Sequence, residues 1–275
     1  MSQSVPNWLT RQLSKASHIV NDGLSVTPIG TLHLGIDLGT SNIMSVVLNE
    51  QNQPIAVFMQ WADVVRDGVV LNFHGAVKIV QHQLACIQKK LGINFKEANT
   101  SFPPGTDPRI SVNVLEAAGL SISAIIDEPS AVANLLGLKD AVVVDIGGGT
   151  TGIAVLKNGK VIYSGDEPTG GHHVTLTIAG RLGMALEDAE SLKINQGNEV
   201  WGYVEPVFEK MADIVQTHLA GYQVDSLYLS GGSCTLPGVL GLFRQFFPDM
   251  SVLLPIHPIF LTPIAIAAYG KKTSL

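Results

Sequence analysis

Residues 142–155, VVVDIGGGTTGIAV, constrain this chain more than any other stretch. An apolar run ends at Asp145, three glycines and two hydroxyl residues follow, and a second apolar run begins. The pattern reads as strand, tight turn, strand, with the turn at the carboxyl end of a buried strand. Gly147, Gly148 and Gly149 lack a Cβ, so the backbone is free to take positive φ and to approach an oxyanion closely. Their N–H groups, with the hydroxyls of Thr150 and Thr151, would line an anion nest. Asp145 would aim at the same space and hold a hydrated divalent cation. Alone, GGGT would suit a plain β-hairpin better. It does not stand alone, because residues 34–48, LGIDLGTSNIMSVVL, repeat the design. Aligning Asp37 with Asp145 places Gly39 on Gly147, with Thr40 and Ser41 following. Two half-sites of one design imply a duplicated domain that closes on a single phosphate group.

Periodicity fills in the rest. Apolar residues at helical spacing predict a helix near Trp8–Val20, then a linker to Gly30; its apolar face is best read as packed on its own domain, with a partner surface as the alternative. Strands are expected at 32–36, 43–49 and 54–61, a turn at Asp67-Gly68, and a helix from Val77 that stops at Gly92. A Pro-rich loop at 101–109 leads into a helix, a strand follows at 121–126, and Glu128-Pro129 opens a small-residue helix. Asn158-Gly159 marks a hairpin. Gly170-Gly171 begins a helix whose start is expected to face a phosphate. The series of strands, helix, strand, helix occurs twice, which predicts two α/β lobes facing a cleft. Lobe I takes 31–140 and the C-terminal helix at 262–275, lobe II takes 141–261, and 1–30 stands apart. Asp37, Asp145 and Gly231-Gly232 fall at carboxyl ends of strands, where such folds bind ligands.

Composition narrows the function. Net charge is −6 and no long Lys/Arg run occurs, which argues against nucleic acid or an anionic membrane as partner. No apolar stretch is long enough to span a bilayer and no signal-peptide pattern opens the chain. Cys86 and Cys234 are far apart and lack metal-ligand spacing, which suits a reducing cytoplasm.

Five segments, in order, resemble the superfamily of actin, DnaK-type chaperones and sugar kinases: GIDLGTSN, VVDIGGGTTG, DEPSAVA, LSGGSCTLPGV and TPIAIAAYG. They correspond to its two phosphate loops, first connecting helix, adenosine motif and second connecting helix, across about residues 32–270. The resemblance implies a duplicated actin-like (ribonuclease H-like) ATPase fold with ATP and Mg²⁺ in the cleft. Carried over, Asp37 and Asp145 would hold Mg²⁺ through water. Gly39, Thr40, Ser41 and Asn42 would contact phosphates from one lobe, and Gly147, Gly148, Gly149, Thr150 and Thr151 from the other, beside Gly170 and Gly171. Glu128 would orient the attacking water, and Gly231 and Gly232 would admit adenosine. Within the superfamily the chain is similar to the EutJ family, which is associated with the bacterial microcompartment for ethanolamine breakdown. That implies a chaperone-like or assembly protein whose partner is a protein client or microcompartment component.

The chain also departs from the superfamily. DnaK-type chaperones carry a second aspartate after the glycine run, where Gly152 stands here, and an aspartate soon after the second Gly-Gly pair, where His172, His173 and Val174 stand here. The segment forming the lid over adenine is short, and no peptide-binding domain is expected after residue 270. These departures leave two readings: a slowly hydrolysing ATPase, or a pseudo-ATPase scaffold that binds a shell protein or enzyme without nucleotide.

Overall fold

The computed structural model describes residues 4–62, 65–66 and 69–270; the expected turn at Asp67-Gly68 lies outside the described residues. Two five-stranded sheets carry the molecule. The first contains β1 (His33–Leu38), β2 (Asn42–Leu48), β3 (Pro54–Trp61), β6 (Glu97–Phe102) and β7 (Ser121–Asp127), in the order β3-β2-β1-β6-β7. The second contains β8 (Ala141–Ile146), β9 (Thr151–Lys157), β10 (Lys160–Glu167), β11 (Ser226–Ser230) and β12 (Ser251–Leu253), in the order β10-β9-β8-β11-β12. The orders are the same when β1 is matched to β8, and in each sheet the first three strands are antiparallel and the last two parallel. A small hairpin of β4 (Val65–Arg66) and β5 (Val69–Val70) stands apart.

The helices are α1 (Asn7–Ile19), α2 (Phe73–Leu91), α3 (Arg109–Ala117), α4 (Glu128–Leu136), α5 (Gly171–Leu182), α6 (Leu186–Asn195), α7 (Gly197–Leu219), α8 (Val239–Phe246) and α9 (Leu261–Ala268). Local chemistry sets their ends. Gly92 and Gly137 close α2 and α4 in the left-handed conformation, where a missing Cβ removes the steric cost, and Asp127 caps α4 by accepting from Ser130 N–H.

β8 shows why its sequence is an unbroken apolar run. Val142, Val144 and Ile146 point into one core, with Phe208, Met211 and Phe243. Ala141 and Val143 point into another, between the lobes. Side chains alternate across a strand, so a sheet covered on both faces needs apolar residues at every position. β2 behaves likewise: Ile43 and Val47 face the lobe I core, and Met44, Val46 and Leu48 face the middle one.

The middle core holds the connecting helices and the N-terminal helix. α4 and α9 pack on each other through small residues, including Ala131, Ala133, Ala265 and Ala267. A Cβ at Gly35 would lie 2.5 Å from the Ala267 backbone, so glycine there allows α9 to lie directly on β1. Helix α1 buries Leu9, Leu13 and Ala16 in the same core. The chain then adds to the free edge of β3: Val20 bridges Val57 in parallel, and Asn21 bonds the backbone of Met59 with both its Oδ1 and Nδ2. Lys90, almost wholly buried, fastens the linker by donating to the carbonyls of Asp22 and Leu24. The helix near the N-terminus is thus packed on its own molecule. Among the described residues no helix is long and apolar enough to cross a membrane.

Candidate functional site

The matched strands β1 and β8 run in parallel roles and each ends beside an aspartate. Asp37 lies opposite Met44 in β2, and Asp145 lies between Gly152 of β9 and Ser230 of β11. Both aspartates line one cavity of about 280 Å³, between the turns that follow them. Gly39, Thr40, Ser41 and Asn42 line it from lobe I; Gly147, Gly148, Gly149 and Thr150 line it from lobe II. Glu128, Gly231 and Gly232 also line it, whereas Thr151, Gly170 and Gly171 of the expected set do not. The turns are so close that a Cβ on Gly148 would lie 2.1 Å from Ser41 Oγ.

Three sequence expectations meet a different geometry. Among the described residues the glycine triplet has no positive φ; Gly231, at φ +92°, does. The triplet's lack of side chains matters for close approach instead. A Cβ at Gly170 would lie 2.8 Å from Gly148 O, and one at Gly231 would lie 2.3 Å from Ile146 O and 2.5 Å from Asp145 Oδ1. Second, the start of α5 does not face the cavity. Gly171 N–H donates to Gly147 O and His172 N–H to Gly148 O, so the start of α5 braces the turn at 147–150. Third, Thr151 is fully buried and its hydroxyl donates to Thr169 O, 2.7 Å away. It fixes the turn and does not line the cavity.

Burial and mutual repulsion dominate the electrostatics. Asp37 is pushed up to about 7, first by burial and then by the charge of Asp145, with Ser101 opposing weakly. Its Oδ1 is buried with no hydrogen-bond partner, and Ser101 Oγ, though nearby, makes no bond of normal geometry. Asp145 is raised by burial and eased by Thr262 and Ser230; the Thr262 hydroxyl donates to Asp145 Oδ2 from the start of α9. Burial pushes Glu128 well above the ordinary carboxylate range, and the charges of Asp37, Asp145, Asp166 and Asp127 add to the rise. Among the described residues no cluster of three or more His, Cys, Asp or Glu side chains forms a direct ligand set. Two aspartates lining one cavity, one with a buried unpartnered oxygen, nevertheless fit the outer shell of a hydrated Mg²⁺, which would supply positive charge there.

Sequence reasoning missed a second group on the cavity wall. Lys193 Nζ donates to Gly171 O, Thr175 Oγ1 and Glu190 Oε2, at 3.1, 2.9 and 2.7 Å. The Thr175 hydroxyl also bonds Glu190 Oε2. Burial lowers the Lys193 ammonium, against the pull of Glu190. Glu190 and Lys193, three residues apart on α6, share one helix face, which was the available signal. Trp61, Ile194, Leu236 and Ile259 add apolar surface to the same cavity.

Gly152 faces the start of α4: a Cβ there would lie 3.3 Å from the Pro129 ring and 3.5 Å from Pro104. A side chain there would press on the start of the helix that carries Glu128.

The cell division protein FtsA family matches residues 142–265. Among solved structures, MreB5 of Spiroplasma citri bound to ADP has the same fold, with TM-score 0.68 at 16% identity over 86% of this chain and 95% of its own. EutJ from Carboxydothermus hydrogenoformans superposes with TM-score 0.86 at 38% identity, covering 95% of this chain and 99% of that one. The EutJ protein of Escherichia coli K12 is 54% identical over 96% of this chain and 95% of its own length. The fold is that of the actin-like ATPases, and the chain belongs to the EutJ family of ethanolamine utilization proteins.

Proposed function

We propose that the cleft binds Mg²⁺ with ATP or ADP, and that the protein is a slow ATPase acting as a chaperone-like or assembly factor for a component of the ethanolamine-utilization microcompartment. One observation carries the nucleotide reading: two aspartates far apart in the chain converge on one cavity, where Asp37 Oδ1 is buried without a partner. The ADP bound by MreB5 of the same fold agrees with it.

Asp37 and Asp145 would hold the waters around the cation, which neutralises charge on the phosphates. The turns at 39–42 and 147–150 would present backbone N–H groups and hydroxyls to those phosphates. Glu190 would accept from the sugar hydroxyls, fixed by Lys193 and Thr175. Glu128 would orient the attacking water, so the rate would rest on positioning and charge neutralisation. With Gly152 in place of a carboxylate, turnover is slow.

Calorimetry with Mg²⁺ and millimolar ADP or ATP tests the reading. Binding is expected to depend on Mg²⁺ and to weaken by about tenfold or more in Asp37→Ala, the scale of one charge-assisted contact. No heat and no thermal shift with the native protein would end it. A scaffold that binds a shell protein or enzyme without nucleotide is the second reading, favoured by Gly152 and by the contact of Ser41 with Gly148. Capture of such a partner at equal strength by Asp145→Ala, with and without ATP, would favour it.

A further inference from the structure

The wall formed by residues 190–194 and 232–236 lines the cavity with four polar side chains, Glu190, Lys193, Ser233 and Thr235, and each is bonded within the protein. Lys193 spends its three donors on Gly171 O, Thr175 Oγ1 and Glu190 Oε2. Ser233 Oγ donates to Gly147 O and Thr235 Oγ1 to Gly232 O, both at 2.7 Å. Glu190 Oε2 already accepts from Thr175 and Lys193, which leaves its other oxygen to accept from hydroxyls. The remaining surface is apolar: Ile194, Leu236 and Ile259. Across the cavity stands Trp61, opposite Asn42 in the sheet and 46% exposed, a large ring left half uncovered at the rim. Ala62 N–H donates to Ser41 O, which ties that rim to the first phosphate turn.

We propose that this cleft grips a purine nucleotide by its phosphates, its sugar and the flat face of its base, with Trp61 as the covering side chain, and takes adenine and guanine alike. The proposal rests on the nucleotide reading above and extends it to base selectivity. Adenine and guanine differ in the donors and acceptors on their edges, and no side chain on this wall has a donor to spare for them. A site built to hydrogen-bond one partner rejects its analogue by on the order of 10⁴-fold. Contact with a ring face tolerates any base, because each has a π surface.

Titration calorimetry with Mg²⁺·ADP and Mg²⁺·GDP decides the matter, on the native protein and on Trp61→Ala, whose exposed side chain makes the variant safe for folding. Dissociation constants for the two nucleotides are expected to agree within about fivefold. Trp61→Ala should weaken both by about tenfold and leave their ratio unchanged. ADP binding with GDP weaker by more than about 100-fold would overturn the proposal and spare the nucleotide reading. So would equal affinities in the native protein that Trp61→Ala fails to change, which would remove Trp61 from the account. If neither nucleotide binds, both the nucleotide reading and this extension of it are lost.

Discussion

Asp37 holds its proton more tightly in the folded protein than it would in an unfolded chain, because burial and Asp145 both penalise its charge. The sign of the pH effect follows. Protonation favours the folded state, so this contribution is whole below about pH 3.8 and is lost progressively as pH rises to about 7. Asp145 and Glu128 are shifted in the same direction and add to it. The melting temperature without ligand is therefore expected to fall by on the order of 5 °C between pH 5 and pH 8. Asp37→Asn should flatten the profile, and added Mg²⁺ should raise the melting point more at pH 8 than at pH 5. A profile identical in the variant would mean that Asp37 is not under this strain. The group is costly to the empty fold and useful only with a counter-charge, as expected of a residue kept for binding.

At the scale of elements, β6 shows what sequence patterns conceal. Its residues, Glu97–Phe102, include Asn99, Thr100 and Ser101, and they lack the apolar alternation that marks a strand. Asn99 and Thr100 are buried because partners far away in the chain satisfy them. Asn99 Nδ2 donates to Ile266 O and Tyr269 O, closing the carboxyl end of α9, and Thr100 Oγ1 donates to Ile36 O. Asn99→Ala would remove the donor to Tyr269 O, while Ile266 O keeps its bond from Tyr269 N–H. A loss of about 0.5–1.5 kcal/mol is expected, read by urea denaturation; an unchanged midpoint would show that the cap is dispensable. The same cause hid Thr262, whose bond to Asp145 joins positions distant along the chain. Motifs made of neighbours were legible: the aspartates, both glycine turns, the Asn158-Gly159 hairpin, the stop of α2 at Gly92 and the start of α4 at Glu128-Pro129 follow from short-range steric rules. The orientation of α5 was not. Its first N–H groups suit a phosphate or a carbonyl equally well, and only tertiary packing decides that they meet Gly147 and Gly148.

For the whole molecule, the duplicated strand order was legible from the repeat of Asp, Gly and hydroxyl between apolar runs, and the two sheets bear it out. What the repeat does not contain is α1, which fills the middle core against β3 and the segment at 258–260 that leads into α9. Because α1 packs into a core shared by residues of both lobes, it is expected to couple their stabilities. Leu13→Ala, at a fully buried position, is expected to cost about 2–5 kcal/mol. The loss should appear as one cooperative transition that melts both lobes together in calorimetry. Separate transitions would mean that α1 belongs energetically to lobe I alone.

The meeting of α4 and α9 has a mechanical meaning. Alanines on both helices let them lie close, and Gly35 lets α9 lie on β1, so the joint has little slack. Such a joint can swivel, since short side chains slide past one another, but it resists being pulled apart, since any gap would be empty. Opening of the chamber that Asp37, Asp145 and Trp61 line is therefore expected to proceed by rotation about this joint, with the two helices staying in contact.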